Sequence, residues 1–138
     1  MKKLLLLLPF VLTAQTAFAI DKQDEKNYKS NYIEQMKPLV VQKMSTENAE
    51  MSPQDINTQA NAYVVKMADC QLTAIKDYPD KYREKAIMPV AKGGDLIAAN
   101  RELEQTIKAD IEAGEITKDE VMTMAQKAQE KAQVCATS

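Results

Sequence analysis

Thr117-Lys118-Asp119-Glu120-Val121-Met122-Thr123-Met124-Ala125-Gln126-Lys127-Ala128-Gln129-Glu130-Lys131-Ala132-Gln133-Val134-Cys135 decides the fold class. Its first four residues form a capping box. The Thr117 hydroxyl and the Glu120 carboxylate can each satisfy an amide that a helix start leaves without an intrahelical partner. Val121, Ala125, Ala128, Ala132 and Cys135 then recur at offsets of 4, 3, 4 and 3, the period of one helix face. Alanine keeps that seam narrow enough for a second helix to approach closely, and Cys135 ends it. No part of the chain shows the alternation of a strand, and there is no internal repeat.

Upstream, Gly114 supplies a left-handed stop for a preceding helix. That helix starts from Asp95 as N-cap and keeps its period through Leu96, Ala99, Leu103, Ile107 and Ile111 (or Asp110) to Ala113. Lys92-Gly93-Gly94-Asp95 in front of it is the clearest breaker and holds two of the three glycines. Pro79 opens a short helix with Tyr82, Ala86 and Ile87 that is expected to stop near Met88-Pro89. Ser52-Pro53-Gln54-Asp55 marks another start, with Ser52 at the N-cap and Pro53 in the first turn. From there Ile56, Ala60, Tyr63 or Val64, Met67, Cys70 and Ala74 hold one face to about Lys76. Residues 45–51 are a polar connector. Before it, Tyr28, Tyr32, Met36, and Leu39 or Val40 form a first helix, in which Pro38 predicts a kink or a break near Met36 or Lys37. Residues 20–27 are mostly polar and are expected to fray.

The beginning of the sequence has a different character. Met1-Lys2-Lys3, the run Leu4 to Leu8, Pro9-Phe10-Val11-Leu12 and Ala17-Phe18-Ala19 carry the basic, apolar and small-residue parts of a secretory signal peptide. The expectation is a signal at residues 1–19, cleaved after Ala19, and a single helical domain over residues 20–138. The apolar run, about 9 residues, is far short of the roughly 20 that span a bilayer. No Cys follows the Ala-x-Ala site, so no lipid anchor and no stable membrane anchor are expected after cleavage. The reading places the protein in the periplasm or outside the cell.

The 119 residues that remain hold 9 Ile, 7 Val and 4 Leu but no Phe or Trp, and seven Met and fifteen Ala fill out the apolar set. With 16 basic and 20 acidic residues the net charge is −4, too modest to keep the chain unfolded. So thin a core needs a staple. Cys70 and Cys135 are the only cysteines, and in an oxidising compartment one disulfide is the simplest outcome. Closing that loop of 65 residues restricts the unfolded chain by about 4 kcal/mol on the chain-entropy model. If the long helices run up-down-up-down and residues 79–90 only cross over, the second and fourth point the same way. Both cysteines then sit at one end of the bundle. The predicted fold is all-α: a small antiparallel bundle of four longer helices plus a short crossover helix, stapled by one disulfide.

Composition removes most chemistry. No His is present, so there is no Ser-His or Cys-His nucleophile and no His metal ligand. Glu102 and Glu104, Asp110 and Glu112, and Asp119 and Glu120 lie one or two residues apart, a spacing that does not put two carboxylates on one helix face. A sugar hydrolase would also want aromatic platforms beside its two carboxylates. Calcium-loop, phosphate-loop and Cys-x-x-Cys patterns do not occur, and the negative charge without a basic stripe argues against nucleic acid. No catalytic, cofactor or metal residues are expected.

What remains is a contact surface. Asp77-Tyr78-Pro79-Asp80-Lys81-Tyr82-Arg83 gathers two of the five Tyr and one of the two Arg, the residue types most often found as interface anchors. Tyr78, Asp80, Tyr82 and Arg83 are the candidate partner contacts; the plainer alternative is that the two Tyr pack the crossover onto the bundle. Met122 and Met124 offer either an adaptable apolar surface or core filling. The leading expectation is a non-catalytic module that binds another protein, as inhibitor, immunity partner or accessory subunit. A second is an envelope chaperone activated by stress or acid: neutralising 20 carboxylates would leave 16 cationic side chains to repel one another. An enzyme working with carboxylates, Tyr or Lys alone and a small-molecule binder complete the field.

Overall fold

The computed structural model describes residues 19–138, and the expected signal peptide therefore lies almost wholly outside the described residues. Five helices account for the fold: α1 Lys22–Glu47, α2 Pro53–Ala74, α3 Asp80–Ala91, α4 Leu96–Ala113 and α5 Lys118–Thr137. Among the described residues there is no strand. No helix among them is long and apolar enough to cross a membrane.

Local cap chemistry sets most of the boundaries. Ser52 accepts from the Asp55 amide at the start of α2, and Asp95 accepts from the Ala98 amide at the start of α4. Thr117 and Glu120 form the expected reciprocal box at α5. The end of α4 is a Schellman turn. Glu115 N donates to Asp110 O and Gly114 N to Ile111 O, with Gly114 at φ 76°. At the end of α3, Gly94 N donates to Pro89 O, and a Cβ on Gly94 would lie 2.7 Å from that oxygen.

Several expectations need correction. Residues 20–27 are not frayed: Asp21 and Asp24 form a capping box that starts α1 at once, and Ile20 packs on the core. Pro38 does not break α1, which runs through it with the ring on an exposed face. Likewise α3 continues through Pro89 to Ala91.

The largest correction concerns α3, which is a core element rather than a crossover. Ile87 and Val90 are among the most deeply buried side chains of the described residues. The principal contacts place the helices in the row α5, α2, α1, α3, α4. Inter-helix bonds give the directions. A five-residue connector and the Lys29–Asp69 ion pair make α1 and α2 an antiparallel hairpin. Asn31 donates to Val90 O, while Gln35 donates to Gly94 O and accepts from Leu96 N; numbering rises together on both sides, so α1 and α3 are parallel. Lys81 reaches Asp110 and Lys85 reaches Glu102, so α3 and α4 are antiparallel. Cys70 joins Cys135, and Asp77 pairs with Lys131, so α2 and α5 are antiparallel too. The second and fourth long helices therefore do not point the same way. Because α3 counts as a full leg, the direction of everything after it is reversed.

The core cluster draws Tyr28 and Tyr32 from α1, Ala68 and Ile75 from α2 and its end, Ala86, Ile87, Val90 and Ala91 from α3, and Leu96 and Ala99 from α4. None of its buried members comes from α5. Along the predicted α5 seam only Ala128 is buried, Val121, Ala132 and Cys135 are half-buried, and Ala125 is exposed. The narrow face meets α2 on one side only, so half of it has no neighbour.

Candidate functional site

A groove of about 440 Å³ with an apolar floor lies between the α2–α3 turn and the first half of α5. α2 ends at Ala74, and the Tyr78 amide donates to Ile75 O, which turns the chain and presents the Tyr78 ring to the groove. From the other side, the α4–α5 turn brings in Ile116 and the α5 period brings in Met124 and Ala128. The floor is apolar: Ala74, Tyr78, Pro79, Ile116, Met124 and Ala128.

Charged groups edge this floor. Asp77 pairs with Lys131, whose hydrogen bond and charge hold the Asp77 carboxyl below its usual range. Glu120 is engaged at the α5 cap by the Thr117 amide and hydroxyl, which hold its carboxyl down as well. Asp119 and Lys127 stand exposed on the rim. Burial pushes the Tyr78 phenol up, so it is neutral across the physiological range and can act as an apolar body with a polar tip.

The four candidate contact residues are placed differently from one another. Tyr78 is half-buried and lines the groove. Asp80 is exposed and borders a second hollow between α3 and α4. Tyr82 is only 4% exposed, and its hydroxyl donates to Asp110 Oδ2 at 2.7 Å, so it packs the fold and is not offered to a partner. Arg83 is half-buried and donates to Lys76 O at 3.5 Å. Of the four, only Tyr78 lines the groove. Met124 lines the groove, while Met122 is exposed on another face.

Sequence reasoning passed over two residues. Ile116 lies in a short turn, where no period marks it. Asp110 gave a signal, since it falls on the apolar stripe of α4; an acid at such a position is either misplaced or paired. It is paired. At 7% exposure it accepts from Lys81 Nζ at 2.8 Å and from the Tyr82 hydroxyl, and Lys81 also reaches Glu115 at 3.1 Å. The hydrogen bond from Lys81, then that from Tyr82, holds the Asp110 carboxyl below its usual range. Burial, and next the bond to Asp110, pushes the Tyr82 phenol up to about 12.

One member of each neighbouring carboxylate pair serves as a tie or cap: Glu102 pairs with Lys85, Asp110 with Lys81, and Glu120 caps α5. Among the described residues no three His, Cys, Asp or Glu side chains gather as metal ligands would. No protein-family model matches the chain, and no curated protein or solved structure shows significant similarity to it.

Proposed function

We propose that this chain is an exported, periplasmic, non-catalytic module that binds another protein, and that the α2–α5 groove takes one amphipathic helix of that partner. The observation that carries the reading is the apolar floor of Tyr78, Ile116 and Met124 between the α2–α3 turn and the first half of α5. Small residues, Ala74 and Ala128, let a third helix settle between them, the geometry of helix-in-groove recognition. Charge on the rim gives polarity: a base on the partner helix would face Asp119 and an acid would face Lys127. The disulfide supports the compartment, since such bonds persist where thiols are not kept reduced.

Selecting helical peptides against the full oxidised chain tests the proposal. Binders are expected to carry an apolar stripe at i, i+3 or i+4 spacing and to lose at least tenfold in affinity on Met124→Glu. Binders indifferent to Met124→Glu would overturn it.

One observation favours the acid-activated chaperone as a second reading. Three of the four principal helix contacts are tied by a lysine–carboxylate pair: Lys29–Asp69, Lys131–Asp77, and Lys81–Asp110 with Lys85–Glu102. Only α1 and α3 are joined by neutral amides, those of Asn31 and Gln35. Acid would therefore act at the seams of the molecule. Protection of an aggregating client at pH 2–3 and not at pH 7 is the outcome this reading requires.

A further inference from the structure

The two helices at the ends of the row are fastened by different chemistry. At one end α5 is fixed to α2 by Cys70–Cys135 near its C-terminus, where the Asp77–Lys131 pair also lies. At the other end α4 is tied to α3 at its C-terminal end by Asp110 and at its middle by Glu102. The N-terminus of α4 is held separately by a neutral bond from Leu96 N to Gln35 Oε1. Asp110 acts twice in this arrangement. Its carboxylate joins α3 through Lys81 and Tyr82, and its carbonyl accepts from Glu115 N, closing the turn that leads to Ile116 and the groove.

We infer that Lys81, Tyr82, Asp110 and Glu115 form an acid-released latch on the groove. Protonation of Asp110 frees the C-terminal end of α4 and the turn 114–117, and α5 pivots about its disulfide to widen the gap between Tyr78 and Met124. The groups facing Asp110 are Lys81 and Tyr82 from α3 and Glu115 from the turn. Neutralising Asp110 leaves the Lys81 ammonium with the exposed Glu115 alone. At the other joint, Asp77 faces Lys131 and Lys127 from α5 and its neighbour Lys76. It too loses its charge in acid, but there the disulfide holds.

The sign follows from the low carboxyl of Asp110. Its contribution to the closed state is full above the ordinary carboxylate pKa of about 3.9 and is lost as pH falls from there through the lower native value. The latch is thus closed at neutral pH and opens below about pH 4.

The consequence for binding rests on the groove proposed above, whereas the opening can be measured with no ligand. Hydrogen exchange on the oxidised full chain, corrected for the intrinsic pH dependence of exchange, should show residues 104–124 exchanging about threefold or more faster at pH 3 than at pH 7. Residues 22–47 should stay protected. Asp110→Asn should show the same local opening at pH 7. Glu115→Gln, an exposed change compatible with folding, should give a smaller opening in the same segment. Opening of all segments together in acid would overturn the latch, as would neutral-pH exchange unchanged by both substitutions. If the latch opens but no groove peptide binds at pH 7, the binding proposal fails alone; if peptides bind and the segment stays closed at pH 3, the latch fails alone.

Discussion

At the residue scale, Asp110 and Tyr82 show how similar letters take different roles. Both look like surface or interface residues in a charged, tyrosine-bearing chain, but each is buried and satisfies the other. Tyr82→Phe keeps the ring and removes the donor, leaving the buried carboxylate with Lys81 alone. The expected cost is about 1.5–3 kcal/mol at pH 7, the range for a hydrogen bond to a charged group, read from urea unfolding. The same pair gives an alkaline limit. With its phenol raised to about 12, Tyr82 contributes stability that is complete below its ordinary pKa of about 10 and is lost as pH rises through 12. An unfolding midpoint that holds to pH 9 and falls beyond pH 10, less steeply in Tyr82→Phe than in the wild-type chain because the buried Tyr28, Tyr32 and Tyr78 phenols are raised as well, is the expected result. Asp110 was legible in part, because it occupies an apolar register position; its partner was not, because pairing across helices depends on how α3 lies.

At the element scale, helix starts and stops were readable wherever the deciding chemistry is local. Ser52-Pro53, Asp95, Gly114 and the Thr117–Glu120 box all mark ends within a residue or two of those observed. The misreadings share one cause. Intrinsic preference alone predicts a kink or break at Pro38, a stop near Pro89 and fraying over residues 20–27, and packing outweighs it in each place. α5 is the element whose behaviour is easiest to isolate. It contributes nothing to the buried cluster formed by α1 to α4, and beyond Ala128 it is held by the disulfide and the Asp77–Lys131 pair. Cys70→Ser/Cys135→Ser should therefore lower stability by about 4 kcal/mol on the loop-entropy model. Hydrogen exchange should show protection lost first over residues 118–137, while Tyr82 to Ala91 keep theirs.

At the scale of the whole molecule, the composition already implied a thin core that needs a covalent tie, and the cysteine count implied which tie. The direction of α5 was not readable. It depends on whether residues 80–91 form a leg of the fold or a bridge, and that is settled by Asn31 and Gln35 docking α3 parallel to α1, a contact with no sequence period. The reversed α5 also creates the candidate site, since only an antiparallel α5 brings Ile116 and Met124 against Tyr78 at the end of α2. Tyr78 was singled out in the sequence; the groove around it was not. The proposed function requires the disulfide to hold α5 in place so that the groove can bind a protein partner. Titration calorimetry of one groove-selected peptide against the wild-type chain and against Cys70→Ser/Cys135→Ser tests it most directly. Affinity is expected to fall at least tenfold in the variant while α1 to α4 remain folded; equal affinity for both chains would overturn the proposed function.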